Sequence, residues 1–246
     1  MSADRLVQQA VALHQQGRLP EALRLYQQAL QSDPQHAQAL YLMGTALLQS
    51  GQAVQALPLL DQAVRVRPGF ADAHAALGAA LRRSGRSADA LASFENAVRL
   101  NRKHIEAQVG FATALYELGR LEDALRRFDT ALALAPQHAS AHCNRGAVLQ
   151  LLQRPADALD AFDRALAIAP QMAEAHANRA NALRALGRYT DALAACDKAL
   201  TLRPGYPAAF IFRGFALLDI GRAQDALASF EAALRTNSAD VRALNG

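Results

Sequence analysis

The strongest constraint on the fold of this chain is a period of 34 residues that runs without insertion or deletion. The segment Gly-Arg-x-x-Asp-Ala-Leu recurs at this spacing, at Gly85–Leu91, Gly119–Leu125, Gly187–Leu193 and Gly221–Leu227. A frame starting at Ala3 gives seven consecutive repeats, residues 3–36, 37–70, 71–104, 105–138, 139–172, 173–206 and 207–240. A fixed period this short predicts an array of small stacked units rather than one closed core.

Within each repeat, the spacing of small and large residues along the chain is that of two helices. In the fifth repeat the small residue Gly146 precedes Leu149 by three positions, and Phe162 lies four residues after Ala158 and three before Ala165. Equivalent residue types recur at these positions in the other repeats. Spacings of three and four place side chains on one helical face, so each repeat predicts a helix-turn-helix pair with small residues opposite large ones.

Glycine and proline mark the expected helix ends. Glycine ends the first helix in six repeats, where a left-handed cap is expected, and proline follows the second helix in five. The pattern departs locally at Gln153, which replaces the glycine, at Arg102 and Ser238, which replace the proline, and at Cys196, which replaces the large residue of the second helix.

The order of small residue, Leu, Gly, Ala, aromatic residue, Ala and Pro at this period resembles the tetratricopeptide repeat. The resemblance covers residues 3–240 and implies an all-α, right-handed superhelical solenoid of seven helix-turn-helix repeats, one array over residues 1–246. Residues 241–246 are interpreted as the start of an eighth, incomplete repeat. We therefore expect the natural protein to continue, or a partner or a second copy to cover this uncapped C-terminal end by self-association.

Composition excludes several classes of function. The 26 basic and 22 acidic residues are evenly spread, and their net charge of +4 is too mild to predict nucleic-acid binding. Two cysteines make no disulfide framework. Neither a signal peptide nor an apolar run of membrane-spanning length is found, so we expect a soluble cytoplasmic protein with no membrane partner.

The family resemblance implies that the first helices line a concave groove in which a partner binds. One face of each first helix then supplies the groove residues. The predicted partner-binding residues are Tyr41, Arg82, Arg83, Tyr116, Asn144, Asn178, Asn181, Arg184, Ile211, Phe215 and Leu218. The alternative interpretation of the apolar residues Ile211, Phe212, Phe215 and Leu218 is a surface that further chain buries.

Three asparagines are the most specific part of this set. A primary amide donates and accepts hydrogen bonds at once, so Asn144, Asn178 and Asn181 suit the backbone of a peptide of any sequence. They are similar to the asparagine ladder in the superhelical arm of O-linked N-acetylglucosamine transferases. The alternative interpretation is that they are solvated surface amides.

No pattern in the sequence predicts catalysis, a cofactor or a metal. His138 and His142 have the spacing that zinc-binding helices use, next to Cys143, but these histidines recur with the repeat period. No glycine-rich phosphate loop or nucleophile motif occurs. The arginines at one shared position, Arg145, Arg179 and Arg213, are interpreted as stems that cover the core. The alternative is that they form ion pairs with Asp163, Asp197 and Glu231.

Three functions fit a solenoid of this kind. The first is a scaffold that binds a peptide or protein segment in its groove. The second is the substrate-presenting arm of a larger O-GlcNAc-type glycosyltransferase, which the asparagines and the open C-terminus suggest. The third is single-stranded RNA binding, which is disfavoured because the repeats lack a regular pair of base-reading residues.

Overall fold

A computed structural model describes residues 2–244, and the side chains of residues 2–236. This range contains fourteen helices and no strand. The helices are α1 (Ala3–Gln15), α2 (Leu19–Ser32), α3 (Ala37–Gln49), α4 (Ala53–Val66), α5 (Ala71–Arg83), α6 (Ser87–Leu100), α7 (Ile105–Glu117), α8 (Leu121–Leu134), α9 (Ala139–Leu151), α10 (Pro155–Ile168), α11 (Ala173–Ala185), α12 (Tyr189–Leu202), α13 (Pro207–Asp219) and α14 (Ala223–Leu244). The prediction of seven helix-turn-helix repeats is confirmed, and no helix in the described range is long and apolar enough to cross a membrane.

The helices form two compact units, an N-terminal unit of residues 1–127 and a C-terminal unit of residues 128–246. In the N-terminal unit α1, α3, α5 and α7 contact one another in chain order, and in the C-terminal unit α11 contacts both α9 and α13. Among the described helices of either unit, no second helix contacts another second helix. Each unit therefore curves towards its first helices, and in each unit we call the surface formed by these odd-numbered helices its first-helix face.

Small residues allow the two helices of a repeat to pack closely. Phe162 on α10 is fully buried, and a Cβ added to Gly146 on α9 would lie 2.6 Å from its ring. The same relation joins Gly214 to Phe230, where the distance would be 2.5 Å. The predicted pairing of small with large residues is therefore confirmed, and it holds the two helices of each of these repeats at one fixed separation.

The left-handed caps are also confirmed, including the one without glycine. Six glycines end first helices at φ values between 73° and 76°, and Gln153 takes the equivalent position at φ 58°. Its backbone N–H donates to the carbonyl of Gln150, and that of Arg154 donates to Leu149. This is the hydrogen-bond pattern of a Schellman cap, made here by a residue whose Cβ disfavours it.

Replacing Gln153 by Gly is expected to raise the free energy of unfolding by about 1 kcal/mol, because glycine adopts this conformation without a steric cost. Urea unfolding followed by circular dichroism measures the effect. Gln153→Ala is the matched control, since alanine keeps the Cβ, and it should give no comparable gain. Equal stabilisation by both substitutions would contradict the argument.

The last helix departs from the expected pattern. The second helices end at regular intervals, α10 at Ile168 and α12 at Leu202, but α14 runs without a break to Leu244. Residues 241–244 therefore continue α14 and do not start a separate first helix, and residues 245 and 246 lie outside the described range. Ser238 stands where most repeats have a proline, so nothing in the chain forces the helix to end there.

Candidate partner-binding face

The predicted groove residues lie on the first helices of the two units. In the C-terminal unit α9 carries Asn144, α11 carries Asn178, Asn181 and Arg184, and α13 carries the apolar residues 211, 215 and 218. In the N-terminal unit α3 carries residue 41, α5 carries residues 82 and 83, and α7 carries residue 116. Because α11 contacts both of its neighbouring first helices, the structure brings the first set together on one face.

The three asparagines are half-buried on α9 and α11. Asn144 and Asn178 occupy the same repeat position on these two contacting helices. The side-chain amide of Asn178 acts on the thiol of Cys143 on α9 and opposes the rise of that thiol's pKa, so side chains of the two helices meet here.

Cys143 is buried rather than reactive. Burial raises the pKa of its thiol to about 12, and the nearby carboxylate of Glu174 acts in the same direction. Cys196 is fully buried on α12, and burial raises its pKa to about 12 as well. The thiolate is the nucleophilic and metal-binding form of cysteine, so neither side chain is suited to catalysis near neutral pH.

Both thiols are expected to resist modification by a disulfide reagent at pH 8 in the folded chain and to react within minutes in denaturant. Because the folded pKa values are raised, the folded chain keeps these protons above pH 8.5 whereas the unfolded chain releases them. Stability should therefore fall as the pH rises above about 8.5. Spectroscopic titration of thiols measures the first effect; rapid native reaction would show that the residues are accessible.

The predicted groove arginines are paired within the protein. Arg82 Nη1 donates to Glu117 Oε1 at 2.6 Å, and Arg184 Nη1 donates to Asp219 Oδ2 at 3.0 Å. Each of these ion pairs joins neighbouring first helices and is about one-third exposed. Arg83 donates to the backbone carbonyl of Leu48 at 2.8 Å. A partner carboxylate would have to compete with these bonds. The arginines therefore connect neighbouring first helices, and this is a larger part of their role than binding a partner.

These bridges were not predicted, although the sequence carries a signal for them. The partners are separated by 35 residues, one repeat plus one position, in Arg82–Glu117 and Arg184–Asp219. His14 and Gln49 show the same separation, with Nε2 and Oε1 2.6 Å apart. A comparison of equivalent repeat positions, which lie 34 residues apart, does not show side-chain pairs whose partners lie 35 residues apart.

The apolar part of the face is exposed on α13. Ile211, Phe215 and Leu218 keep 37%, 42% and 47% of their surface in contact with solvent. The ring of Phe215 packs edge-on against Phe230, with centroids 5.3 Å apart, and the guanidinium carbon of Arg184 lies 5.4 Å from its centre. This apolar patch, residues 211, 215 and 218, lies on the helix next to the one that carries Asn178.

The two tyrosines differ in their surroundings. Tyr41 is half-buried, and its ring lies 4.8 Å from the ring of Phe70, centroid to centroid. Burial raises the pKa of its hydroxyl. Tyr116 is half-buried on α7. Tyr41 therefore packs against the residue at the end of its own repeat and offers only part of its ring to a partner.

The histidines hold the turns between repeats. The rings of three accept a hydrogen bond from the backbone three residues later, at the start of a first helix: His36, His104 and His138. In three others Nε2 lies close to the carbonyl oxygen of a proline six residues earlier: His74, His142 and His176. Within the described residues no three histidine, cysteine or acidic side chains are grouped to hold a metal ion.

The three arginines at one shared repeat position form ion pairs, each with a different acid from the one that the sequence suggested for it. Arg145 pairs with Asp129 at 2.7 Å, and Arg179 and Arg213 repeat this contact with acids 16 residues earlier, Asp163 and Asp197. Each ion pair joins a first helix to the second helix of the preceding repeat. The acids are half exposed or more, so each pair contributes at most about 1 kcal/mol.

The stacked hairpins and the amide-bearing face define a helical-repeat protein of the kind that serves as a scaffold for protein interactions. Tetratricopeptide repeat models match residues 13–81, 71–104, 109–173, 152–207 and 183–245. The chain belongs to the tetratricopeptide repeat family. No curated protein sequence matches it.

Solved structures support the same assignment. YrrB, described as a tetratricopeptide repeat protein with an unusual peptide-binding site, is 28% identical over 69% of this chain and 88% of its own, with a TM-score of 0.58. A tetratricopeptide repeat protein from Parabacteroides merdae is 17% identical over 95% of this chain and 93% of its own, with a TM-score of 0.73. PilF of Pseudomonas aeruginosa is 22% identical over 78% and 88%, with a TM-score of 0.68. The last two show the fold alone.

Proposed function

We propose that this chain is a protein-interaction scaffold whose first-helix face binds an extended segment of another protein. The observation that carries the proposal is the placement of Asn144 and Asn178 at one repeat position on two contacting helices. The description of YrrB as peptide-binding is consistent with this function.

The spacing of the amides suits an extended backbone. Packed helices lie about 8–10 Å apart, and an extended chain advances about 3.3 Å per residue. Amides on neighbouring first helices would therefore meet peptide groups about three residues apart. Each amide can donate to a carbonyl and accept from an N–H, which gives affinity without dependence on the partner's side chains.

The apolar patch on α13 adds a preference for sequence. Ile211, Phe215 and Leu218 are exposed on the helix that follows α11, so a segment bound along the amides would bring its next residues onto this patch. Burying apolar area contributes about 25 cal/mol per Å². The ion pair of Arg184 with Asp219 lies beside the patch and leaves no unbalanced charge there. The preferred partner segment is therefore extended, with apolar side chains at the end that meets α13.

The test is replacement of Asn144, Asn178 and Asn181 together by Ala. Helicity should be preserved, because alanine favours helices and the three side chains are only half-buried. Proteins captured from a lysate by the wild-type chain should be lost by this variant, as measured by mass spectrometry. A purified candidate partner then gives the affinity of each variant by calorimetry.

The control replaces three exposed glutamines away from this face, Gln27, Gln28 and Gln171, by Ala. This variant removes the same number of amides and should retain the partner. Equal affinity of the wild type and the asparagine variant for the purified partner would show that the amides are solvated surface groups. A complex mass that contains only this chain would redirect the proposal to self-association.

A further inference from the structure

One carboxylate on the first helices of the C-terminal unit has no arginine partner. Among the side chains of this unit that the structure describes, Glu174 on α11 forms no ion pair, and it is exposed. Each of the other acids pairs with an arginine: Asp129, Asp157, Asp160, Asp163, Asp191, Asp197, Asp219, Asp225 and Glu231. Glu174 is therefore available to a charged group from outside the chain.

A substitution within the repeat explains why Glu174 lacks a partner. Asp4, at the same repeat position, lies 3.0 Å from Nε2 of His36, the last residue of its own repeat. The third repeat has the same contact, at 3.1 Å. In the sixth repeat Tyr206 replaces this histidine, and a tyrosine cannot supply a cation. The guanidinium carbon of Arg203 lies over the ring of Tyr206, 4.6 Å from its centre, and this arginine forms no ion pair with Glu174 in the described part of the chain.

Glu174 lies in line with the asparagines of α11. Residues 174, 178 and 181 are spaced four and three apart, which places them on one face of the helix. After burial, the carboxylate of Glu174 is the next cause of the raised pKa of Cys143 on α9 and of the raised pKa of Tyr206, the residue before α13. These are the two first helices that contact α11. Glu174 therefore lies on the same face as the amides, about 6 Å along the helix from Asn178.

The charge on this face selects the ligand group. Arg184 and Asp219 balance each other, whereas the negative charge of Glu174 has no counterion. A carboxylate forms its strongest hydrogen bonds with a cationic donor, and complementary charge across an interface gives specificity. Lysine and arginine carry their charge on a long, flexible stem, which suits a carboxylate one helical turn away from the bound backbone. An acidic side chain at the same place would be repelled.

We propose that Glu174 binds a lysine or arginine side chain of the extended segment that the asparagines of the C-terminal unit hold. This inference rests on the proposed function, since the basic side chain belongs to the part of the segment that meets Asn178. Neighbouring first helices are about three residues of extended chain apart, so the residues that meet the apolar patch on α13 lie about three positions away. The partner therefore carries a basic residue about three positions from its apolar residues.

The probe is a library of random twelve-residue peptides, displayed on phage and selected on the full chain. Peptides selected by the wild type should be enriched in lysine or arginine about three positions from apolar residues. Selection on Glu174→Gln should lose the enrichment in basic residues and keep the enrichment in apolar ones. Glu231→Gln makes the same change on α14, a second helix, and should give the wild-type pattern.

A selected peptide then measures the contact by fluorescence anisotropy. It is synthesised with its basic residue intact, replaced by glutamine or replaced by glutamate. Glu174→Gln should bind the basic peptide about 2- to 5-fold more weakly than the wild type does, the effect of one exposed ion pair, and should bind the glutamine peptide equally. Glu174→Lys should prefer the glutamate peptide, a reversal that a loss of folding could not produce. Added salt should reduce both preferences.

Two outcomes would overturn the role of Glu174. One is selection by the wild type without enrichment in basic residues, and the other is equal affinity of the wild type and Glu174→Gln for the basic peptide. The triple asparagine variant tests the proposed function separately, with the glutamine peptide, which makes no use of the carboxylate. Unchanged affinity of that peptide would contradict binding by the amides, and failure to select any peptide would contradict the proposed function and this inference with it.

Discussion

Phe162→Ala is expected to lower the free energy of unfolding by about 3–5 kcal/mol. The side chain is fully buried at the centre of the fifth repeat and packs directly over the backbone of Gly146. Glycine has no side chain that could move into the space left by the ring, so the cavity would remain largely open. Chemical denaturation followed by far-ultraviolet circular dichroism measures the loss.

Phe215→Ala is the matched control for this experiment. It removes the same atoms from a ring that is 42% exposed and packs on only one side, against Phe230. Its cost should be clearly smaller than that of Phe162→Ala, since less apolar surface returns to water. A loss below about 1 kcal/mol at Phe162 would contradict the packing described for the fifth repeat.

The fold could be read from the sequence because packing between helices depends on residue size at fixed positions. Gly146 and Phe162 already indicate which surfaces meet, and a small residue stands opposite a large one in this way in six of the seven repeats. Gln153 shows the strength of the pattern, because the surrounding repeat imposes the left-handed cap on a residue that disfavours it. A repeat with one departing residue still adopts the shared geometry when the rest of its sequence and the neighbouring repeats favour that geometry.

The length of α14 could not be read in this way. Arg102 and Ser238 both replace the proline that follows a second helix, yet α6 ends at Leu100 while α14 continues to Leu244. At α6 the following first helix packs back and requires a turn. The residue type alone does not carry that information, since the turn depends on a tertiary contact.

The sequence predicted which helices carry the residues of the candidate site, but not which partners those residues bond to. The sequence places Arg82 and Arg184 on the first helices, but long side chains reach several positions, and each found an acid one repeat and one residue away. The effect of Asn178 on the Cys143 thiol and the unpaired hydroxyl of Tyr26 likewise depend on side-chain directions. A periodic pattern fixes the backbone, whereas the partners of polar side chains are set by distances between helices.

Gly146→Val is expected to destabilise the chain by about 1–3 kcal/mol through overpacking. A Cβ at this position would lie 2.6 Å from Phe162 Cε1 and 2.8 Å from its Cζ, so either the ring or the helix must move. Gly69→Ala is the control, because a Cβ there would meet no atom within 4 Å and the substitution should be nearly neutral.

The double variant Gly146→Val with Phe162→Ala tests whether the two residues form one packing unit. The valine side chain would occupy part of the space that the ring leaves, so the combined loss should be smaller than the sum of the single losses by about 0.5–3 kcal/mol. Additive losses would mean that the two sites relax independently, and the helix separation in the fifth repeat would then not be set by this contact. A combined loss smaller than the sum would instead show that Gly146 and Phe162 form one packing unit. The contact between them would then set the separation of α9 and α10, and α9 carries Asn144.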